Sequence, residues 1–264
     1  MNLSIKFQEA SGKTKVLKKR LDLLLWNRGL VESRQKAKSL IMAGKVFVNG
    51  RPVDKPGTLT SHESEILIKG WDHPYVSRGG VKLESAIKRF QIPVSGNICM
   101  DVGASTGGFT DCLIQHGAAR VYAVDVGYGQ LAWRLRTDPK VVVIERTNIR
   151  HMPREKIPES MDLITVDVSF ISLRIVLPSV LPYLKKTGCI VALVKPQFEV
   201  GKEHVGKGGV VRDPSLHDRL LKEMLSFMET IDLICRSVIP SPISGPKGNR
   251  EFLIHLILKI QKTD

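Results

Sequence analysis

The chain has 264 residues, which is enough for one large domain or for a domain of ordinary size beside a smaller one. Its 42% hydrophobic and 25% charged residues are typical of a globular protein and exclude a disordered or fibrous chain. No apolar run approaches the roughly 18–20 residues needed to cross a bilayer, and the first residues lack the apolar core of a signal peptide. We therefore expect a cytoplasmic protein without stable membrane insertion.

Basic residues clearly exceed acidic ones. The 40 Lys and Arg residues against 26 Asp and Glu residues give a net charge of +14 and a sequence pI of about 9.7. The excess is concentrated at the front, because residues 1–70 carry 14 basic and 6 acidic side chains, and 14 − 6 leaves +8. Such a concentration favours a polyanionic partner, with nucleic acid ahead of an anionic membrane surface.

The side chains that could bind a metal are scattered along the sequence. No two of the four cysteines, Cys99, Cys112, Cys189 and Cys235, have the spacing of a metal knuckle. His204 is not accompanied by the set of partner side chains that a metal site needs. We therefore expect buried free thiols in a reducing compartment and no metal site.

A small α+β domain is predicted over residues 18–68, after a flexible tail at residues 1–17. Its predicted elements are a helix around Leu21, Leu24 and Leu25 that ends at Gly29, a helix from the N-cap Ser33 to Gly44, a strand over residues 46–48, a turn at Asn49-Gly50 and a strand over residues 65–68. The two helices are amphipathic, so they are expected to pack on one another.

This order of elements resembles the S4-type RNA-binding domain. The matching residues are Arg20-Leu21-Asp22, Ser33-Arg34, Ala37, Leu40-Ile41, Gly44, Val46, Val48-Asn49-Gly50 and Val53. The resemblance implies that basic side chains contact the phosphates and the shape of an RNA. The side chains expected to bind RNA are Arg20, Arg34, Lys36, Lys38, Lys45 and, from the segment that follows, Arg78.

Residues 69–80 are expected to link this domain to the rest of the chain. Glycines, a proline and the aromatic residues Trp71 and Tyr75 predict a turn-rich segment held by aromatic packing. The next residues, VKLESAIKRF, predict an amphipathic helix whose start could bind phosphate through backbone amides. Lys82 lies in the first turn of this helix, where the helix dipole disfavours a cation, so we expect a functional reason for it.

Residues 81–264 are predicted to form a Rossmann-like α/β domain, because strand-like and helix-like stretches alternate along them. The predicted strands cover residues 98–102, 121–124, 141–144, 163–166, 190–194, about 233–239 and 252–258. We expect the last of these strands to lie antiparallel beside strand 190–194. The glycine-rich residues 201–209 are either a flap over RNA or a surface loop.

A glycine-rich turn, residues 103–108, follows the first of these strands, and Asp125 ends the second. Glycines let the backbone approach a ligand closely, and an acid at this position can hold both hydroxyls of a ribose. The dinucleotide fingerprint G-x-G-x-x-G fails here because residue 105 is serine. A glycine turn with an acid fits adenosine-containing cofactors generally, so these residues alone leave S-adenosylmethionine and NAD both open.

Several longer segments resemble the TlyA family of FtsJ-like methyltransferases. The matching segments are residues 77–83, 101–113, 166–172, 193–199 and 244–252. Members of this family place an S4 domain before a ribose 2′-O-methyltransferase domain and are often labelled hemolysins. The resemblance, which runs from about residue 18 to the end, implies S-adenosylmethionine as cofactor and cytidine ribose in ribosomal RNA or ribosomal subunits as substrate.

The resemblance also implies the site residues. A Lys-Asp-Lys-Glu catalytic set falls on Lys82, Asp167, Lys195 and Glu251. The expected S-adenosylmethionine contacts are Gly103, Ser105, Thr106, Gly107, Asp125, Val126, Asn148 and Asp167. Asp101 is expected to support the glycine turn from beneath.

The chemistry asks for deprotonation and in-line positioning of a weakly acidic ribose hydroxyl, because a sulfonium is already a good leaving group. Lys195 is expected either to accept the proton or to steer the hydroxyl. A basic Lys195 needs a desolvated amine or a second cation such as Lys82 nearby, whereas carboxylates beside it oppose the loss of its proton. Asp167 and Glu251 are expected to orient the two lysines. Both roles of Lys195 stay open at this point.

Three other functions are weighed against methyl transfer. An RNA-binding protein with a catalytically silent methyltransferase fold would not need the intact Lys-Asp-Lys-Glu set. A membrane-lytic protein, as the hemolysin label suggests, would need an inserting segment that is not evident in the sequence. A pseudouridine synthase can carry an S4 module, but the glycine turn is foreign to it. The sequence does not define the modified nucleotide, the ribosomal subunit or the oligomeric state.

Overall fold

The computed structural model describes residues 18–28, 30, 31, 33–68 and 73–259. The chain splits into two compact units at a boundary between residues 71 and 72, with residues 28–30 assigned to the second unit. Several predicted features lie outside the described residues: the tail at 1–17, the helix end at Gly29, the linker residues 69–72 with Trp71, and residues 260–264.

The first unit contains short helices and short strands. In its described part these are β1 (Lys18–Arg20), α1 (Leu21–Asn27), α2 (Arg34–Met42), β2 (Val46–Val48), β3 (Arg51–Pro52), β4 (Leu59–Ser61) and β5 (Ile66–Ile68). β2 pairs antiparallel with both β3 and β5, and β1 pairs antiparallel with β4. Ser33 caps α2 as predicted, since its side chain accepts a hydrogen bond from the Lys36 backbone at 3.1 Å.

The β1–β4 pair was not predicted. β1 consists of three exposed basic residues, so it shows no alternation of apolar and polar side chains that would indicate a strand. The helices behave as expected, because α1 and α2 pack together and bury Leu24, Leu25, Ala37 and Ile41 completely. The core of the first unit therefore follows from its helical periodicity, whereas its second small sheet does not.

The second unit contains the larger sheet and its helices. Its first half comprises α3 (Gly79–Phe90), β6 (Ile98–Val102), α4 (Gly108–Gln115), β7 (Arg120–Val124), α5 (Trp133–Arg136), β8 (Val141–Ile144) and β9 (Met161–Val166). Its second half comprises α6 (Leu173–Val180), β10 (Leu184–Val194), α7 (Pro196–Glu199), α8 (Pro214–Thr230), β11 (Leu233–Pro240) and β12 (Phe252–Leu258). Every predicted strand is present, although β10 begins at Leu184 and α3 begins at Gly79, earlier than the sequence indicated.

The strands of the second unit form one sheet. In the described part of the chain it has seven strands in the order β11-β12-β10-β9-β6-β7-β8. The central strands are parallel, whereas β12 is antiparallel to β10, as predicted, and β11 is antiparallel to β12. The chain runs outward from β6 through β7 to β8 and then returns to β9 on the other side of β6. In open α/β sheets, ligands bind at the carboxyl ends of strands where the order reverses in this way.

The sheet is covered by helices on both faces. Alternate residues of each strand enter one of two cores, as the two-residue period of a strand requires. One face, with Met100, Ile164 and Ala192, packs with α6 and α8. The other, with Cys99 and Leu163, packs with α3 and α4. No helix among the described residues is both long enough and apolar enough to cross a membrane.

Candidate active site

The reversal point of the sheet brings the glycine turn and Asp167 together. Gly103 follows β6 with a φ of +84°, a conformation that glycine adopts without the penalty of a side chain. A β-carbon on Gly103 would lie 2.5 Å from the backbone oxygen of Asp167. The backbone N–H of Asp167 in turn donates to the Val102 oxygen at 2.9 Å. Gly103 is therefore required both by its own conformation and by the approach of the second loop.

Asp125 organises the turn in a way that the sequence did not indicate. Its Oδ2 accepts the Ser105 backbone N–H at 2.7 Å, and its Oδ1 accepts the Gly127 backbone N–H at 2.6 Å. The expectation was that this carboxylate holds both hydroxyls of a ribose. In the structure each oxygen already accepts one backbone hydrogen bond, so only its remaining lone pair can receive a hydroxyl. Asp125 thus stabilises the turn, and it is also a candidate for binding the cofactor.

The other expected cofactor residues lie along the same edge of the sheet. The Thr106 backbone oxygen accepts from the Ala132 N–H at 3.1 Å. A β-carbon on Gly107 would lie 2.4 Å from a methyl group of Leu135, so apolar packing against α5 explains this glycine. Val126 follows Asp125 and is 70% exposed, which leaves an apolar edge open to a ligand.

Asn148 has a structural task in the loop after β8. Its side chain caps a short 3-10 helix by accepting the Arg150 backbone N–H at 3.1 Å. Its neighbour Thr147 donates its backbone N–H to the backbone oxygen of Asp125 at 2.9 Å. Asn148 is therefore adjacent in sequence to a residue that contacts Asp125, while one of its polar atoms is already engaged.

Asp101, which was expected to support the glycine turn, contacts the helix after the turn and the neighbouring strand. It is fully buried and accepts hydrogen bonds from the Thr110 backbone at 2.9 Å, from the Thr110 hydroxyl at 2.7 Å and from the Thr165 hydroxyl at 3.0 Å. Burial raises the pKa of Asp101 to about 7, against the opposing effect of the threonine hydrogen bonds. The carboxyl thereby joins the start of α4 to the carboxyl end of β9.

The four expected catalytic residues form two ion pairs. Lys82 Nζ lies 2.5 Å from Glu251 Oε2, and Lys195 Nζ lies 2.6 Å from Asp167 Oδ1. Both lysines are 9% exposed and Glu251 is 2% exposed, so the charges are largely removed from water. Pairing is what makes such burial tolerable, because an isolated buried charge is very costly.

The sheet register brings the two pairs to one edge. Val194 of β10 pairs with Phe252 of β12, so Lys195 and Glu251, the next residue on each side, leave the ladder at the same end. α3, which carries Lys82, packs against β12. Parallel pairing of β9 with β10 brings Asp167 to the same edge. All four side chains therefore meet at the carboxyl edge of the parallel strands.

Several residues at this edge were not singled out from the sequence. Lys195 Nζ donates to the Ser169 hydroxyl at 2.9 Å. The rings of Phe170 and Phe198 lie 5.0 Å apart, and Phe170 is 91% exposed with a φ of +63°. Ser169 and Phe170 belong to a segment that matched the family, but nothing in the residue types marked them as site residues.

Asn249 and Gly245 shape the loop that leads to Glu251. The Asn249 side chain accepts the Val211 backbone N–H at 3.1 Å and donates to the Gly209 oxygen at 2.8 Å. A β-carbon on Gly245 would lie 2.0 Å from Glu251 Oε1. The Gly209 end of the glycine-rich segment 201–209 is thus held by Asn249.

The residues expected to bind RNA differ in whether their charges are paired within the protein. In the first unit, Arg20 and Arg34 both form ion pairs with the buried Asp22, at 3.0 and 2.8 Å. Burial tends to raise the pKa of Asp22, but hydrogen bonds from the two arginines lower it to about 2. The two guanidinium groups therefore help to hold the unit together, and each side chain is still 45% exposed.

The remaining expected RNA-binding side chains leave their charges near solvent. Lys36 and Lys45 are exposed, Lys38 is half-buried, and Arg78, in the second unit, is exposed at the start of α3. The phosphate site suggested at this helix start gains no support from the glycines, because a β-carbon on Gly80 would collide with the Tyr75 ring at 2.2 Å. Close packing accounts for that glycine.

The cysteines correct one expectation. Cys99 and Cys112 are buried, whereas Cys189 and Cys235 are only half-buried, and all four are free thiols. Burial raises the pKa of the Cys99 and Cys112 thiols to about 12. Within the described residues, no group of three or more His, Cys, Asp or Glu side chains could hold a metal ion.

Comparison with known proteins identifies both units. The FtsJ-like methyltransferase family matches residues 75–258, and the S4 domain matches residues 19–66. The chain is 48% identical over 238 residues to the 16S/23S rRNA (cytidine-2′-O)-methyltransferase TlyA of Mycobacterium tuberculosis, covering 90% of this chain and 89% of that one. It is 43% identical to Hemolysin A of Brachyspira hyodysenteriae, covering 90% of this chain and 100% of that protein.

A solved structure gives the same result. A Streptococcus thermophilus protein with a hemolysin label superposes with a TM-score of 0.76 at 44% identity, covering 91% of this chain and 88% of that one. The Rossmann-like sheet, the N-terminal S4 domain and the resemblance noted from the sequence are thereby confirmed. The chain belongs to the FtsJ-like methyltransferase family, in the TlyA group whose members carry an S4 domain before the methyltransferase domain.

Proposed function

We propose that this chain transfers a methyl group from S-adenosylmethionine to the 2′-oxygen of a cytidine ribose in ribosomal RNA. The observation that carries the proposal is the double pairing of Lys82 with Glu251 and of Lys195 with Asp167 beside the glycine turn. The name of the Mycobacterium tuberculosis relative, which specifies cytidine-2′-O methylation of 16S and 23S rRNA, supports the substrate.

The residues at the glycine turn fit this cofactor. The remaining lone pairs of the Asp125 carboxylate can accept ribose hydroxyls. The exposed Val126 offers an apolar edge for an adenine ring. When bound, S-adenosylmethionine supplies an electrophilic methyl group on a positively charged sulfur, and the carboxylate of Asp167 at this edge favours such a charge.

Lys195 is assigned the role of the base. Its Nζ donates a hydrogen bond to Ser169 Oγ at 2.9 Å and lies 2.6 Å from Asp167 Oδ1, which forms an ion pair with it. A neutral amine that donates to Ser169 keeps its lone pair for another direction, where it can accept the proton of a ribose hydroxyl. Asp167 and Ser169 orient the amine, so that its lone pair faces the ribose hydroxyl.

Lys82 and Glu251 complete the electrostatics of the site. With Lys195 neutral, the cation of Lys82 and the carboxylates of Asp167 and Glu251 leave one net negative charge, which complements the positive charge of the sulfonium. As negative charge develops on the 2′-oxygen, the cation of Lys82 at the same edge stabilises it, and buried charges are effective because water screens them little. Glu251 keeps Lys82 in place until then.

The first unit is assigned to RNA binding. Its exposed Lys36 and Lys45 and the half-exposed Arg20 and Arg34 supply positive charge for a phosphate backbone. The S4 match at residues 19–66 supports the same role. A ribosomal partner fits the net charge of +14.

The test is methyl transfer in vitro. Ribosomal subunits from cells that lack this protein are incubated with the wild-type chain and labelled S-adenosylmethionine, and the RNA is then hydrolysed in alkali, which spares a 2′-O-methylated linkage. We expect one labelled, alkali-resistant dinucleotide that begins with cytidine.

Matched variants decide the role of the site. Lys195→Ala should abolish labelling, whereas Lys186→Ala, which removes an exposed lysine from the same strand β10, should label normally. Label on a base, or no label with the wild-type chain on either subunit, would contradict the proposal.

A further inference from the structure

Two loops carry the reacting side chains of the site. One runs from Asp167 to Ser172 between β9 and α6, and the other runs from Lys195 through α7 to Glu199. The loops touch at Lys195, whose Nζ contacts both Asp167 and Ser169. The base and the acceptors that orient it lie on different loops. Catalysis therefore depends on the contacts that fix the position of one loop relative to the other.

Glu199 joins these loops a second time, away from the lysine. Its Oε2 accepts the Ser172 hydroxyl at 2.6 Å, and its Oε1 accepts the Leu173 backbone N–H at 2.8 Å. Ser172 is the N-cap of α6, and its hydroxyl oxygen also accepts the Arg174 backbone N–H at 3.1 Å. A carboxylate at the start of a helix is favoured by the helix dipole as well. Both oxygens of Glu199 thus hold the end of the Asp167 loop.

The loop from Asp167 to Ser172 has a strained backbone, so contacts such as those of Glu199 are needed to maintain its conformation. Phe170 has a φ of +63°, which L-residues adopt with difficulty, and its ring is almost fully exposed instead of buried. The loop is fixed at its start by the Asp167 N–H on the Val102 oxygen and at its end by Glu199. Strain of this kind persists only where the surroundings impose it.

We propose that Glu199 is a positioning residue for methyl transfer: it locks the Asp167–Ser172 loop to the Lys195 segment and so holds the acceptors of Lys195 in place. The inference rests on the proposed function, because it concerns the base of that reaction. Glu199 touches neither the substrate nor the cofactor in this scheme. It acts through Ser172 and Leu173 on the loop that bears Asp167 and Ser169.

The variants separate this role from simple helix capping. Glu199→Ala removes both links to the loop. Glu199→Gln keeps an acceptor for the Leu173 N–H, and its amide can donate to the Ser172 oxygen, so it should restore the lock. Glu223→Ala is the matched control, because Glu223 also contacts the first turn of α6, through Arg174 at 3.4 Å, but does so from α8.

Steady-state methylation of ribosomal subunits gives kcat and KM, and calorimetry gives the Kd for S-adenosylmethionine. A shift of reacting groups by about 1 Å can cost on the order of 100-fold in rate. We expect Glu199→Ala to lower kcat by roughly 10–100-fold on that scale, with KM and the cofactor Kd within about twofold. Glu199→Gln should recover most of kcat, and Glu223→Ala should match the wild type.

The outcomes are distinguishable. A wild-type chain that transfers no methyl group defeats the proposed function, whatever Glu199 does. With an active wild type, an unchanged kcat in folded Glu199→Ala, a loss confined to KM or cofactor Kd, or a Glu199→Gln as slow as the alanine variant would overturn the positioning role. If Glu199→Ala does not fold, Ser172→Ala replaces it: kcat should fall several-fold, and an unchanged kcat would refute the lock.

Discussion

Replacing Gly103 with alanine adds one methyl group, which disturbs both the glycine turn and the neighbouring loop that carries Asp167. At a φ of +84°, a side chain costs about 1–2 kcal/mol in backbone strain. The new β-carbon would also stand 2.5 Å from the Asp167 oxygen, whereas ordinary contact begins at 3.4 Å. The two loops must therefore separate by about 0.9 Å, the difference between these distances.

The separation acts on the site directly. Asp167 is paired with Lys195, so a shift of its backbone changes the orientation of the amine. Since a misplacement of about 1 Å can cost on the order of 100-fold in rate, we expect a kcat lower by about that factor. Cofactor affinity should fall too, because the turn itself moves.

Gly96→Ala is the matched control. Gly96 has a φ of +78°, close to that of Gly103, but a β-carbon there meets nothing within 4 Å. This variant should show the strain alone, which corresponds to a fall in melting temperature of roughly 2–8 °C, with normal methylation. Thermal melts, calorimetry with S-adenosylmethionine and methylation rates are compared for both variants. Near-normal kcat in Gly103→Ala, or equal losses of activity in both variants, would show that contact between Gly103 and Asp167 does not control catalysis.

Three further changes test the buried charges. Glu251→Ala leaves Lys82 buried without its partner and should destabilise the second unit by about 3–5 kcal/mol, whereas adding Lys82→Met should recover much of this in denaturant unfolding; no recovery would count against the pair. Burial holds the folded pKa of Asp101 at about 7, above its ordinary value of 3.8, so the folded state binds the proton more tightly. Stability should therefore fall as pH rises from about 4 to about 7, and Asp101→Asn should flatten this slope in melts; an unchanged slope would exclude Asp101 as its source. Asp22 has the opposite shift, because burial is outweighed by its arginine partners and its pKa is about 2. The stabilisation from Asp22 should be present above about pH 4 and lost as pH falls towards 2. Protection of the α1 and α2 amides from hydrogen exchange, relative to an unfolded chain, should therefore fall over this range in the wild type but not in Asp22→Asn.

The large sheet was predictable from the sequence because its central strands are buried on both faces. Runs such as residues 121–124 and 190–194 are apolar throughout, which is typical of central parallel strands. β1 could not be predicted in the same way, since its three exposed basic residues show no apolar alternation and pair with the distant β4. Strand pairing between distant segments carries no signal in a single sequence when both partners are short and polar.

The candidate site was predictable as a set of residues but not as a set of contacts. Motif segments placed Lys82 and Glu251 in one site, yet their direct pairing, across 169 residues, depends on how α3 packs on β12. Likewise Asp125 was expected to face a ligand, and only the folded turn shows both its oxygens on backbone N–H groups. Glu199 stood in a matched segment without a role, because its partners belong to another loop.

In the proposed mechanism, Lys195 acts on the ribose hydroxyl and not on the cofactor. The most direct measurement compares, for Lys195→Ala and wild type, the rate of methyl transfer to ribosomal subunits with the calorimetric Kd for S-adenosylmethionine. We expect a loss of transfer of at least about 100-fold with an unchanged Kd. Substantial transfer by Lys195→Ala, or a wild-type chain that does not bind S-adenosylmethionine even with RNA present, would contradict it.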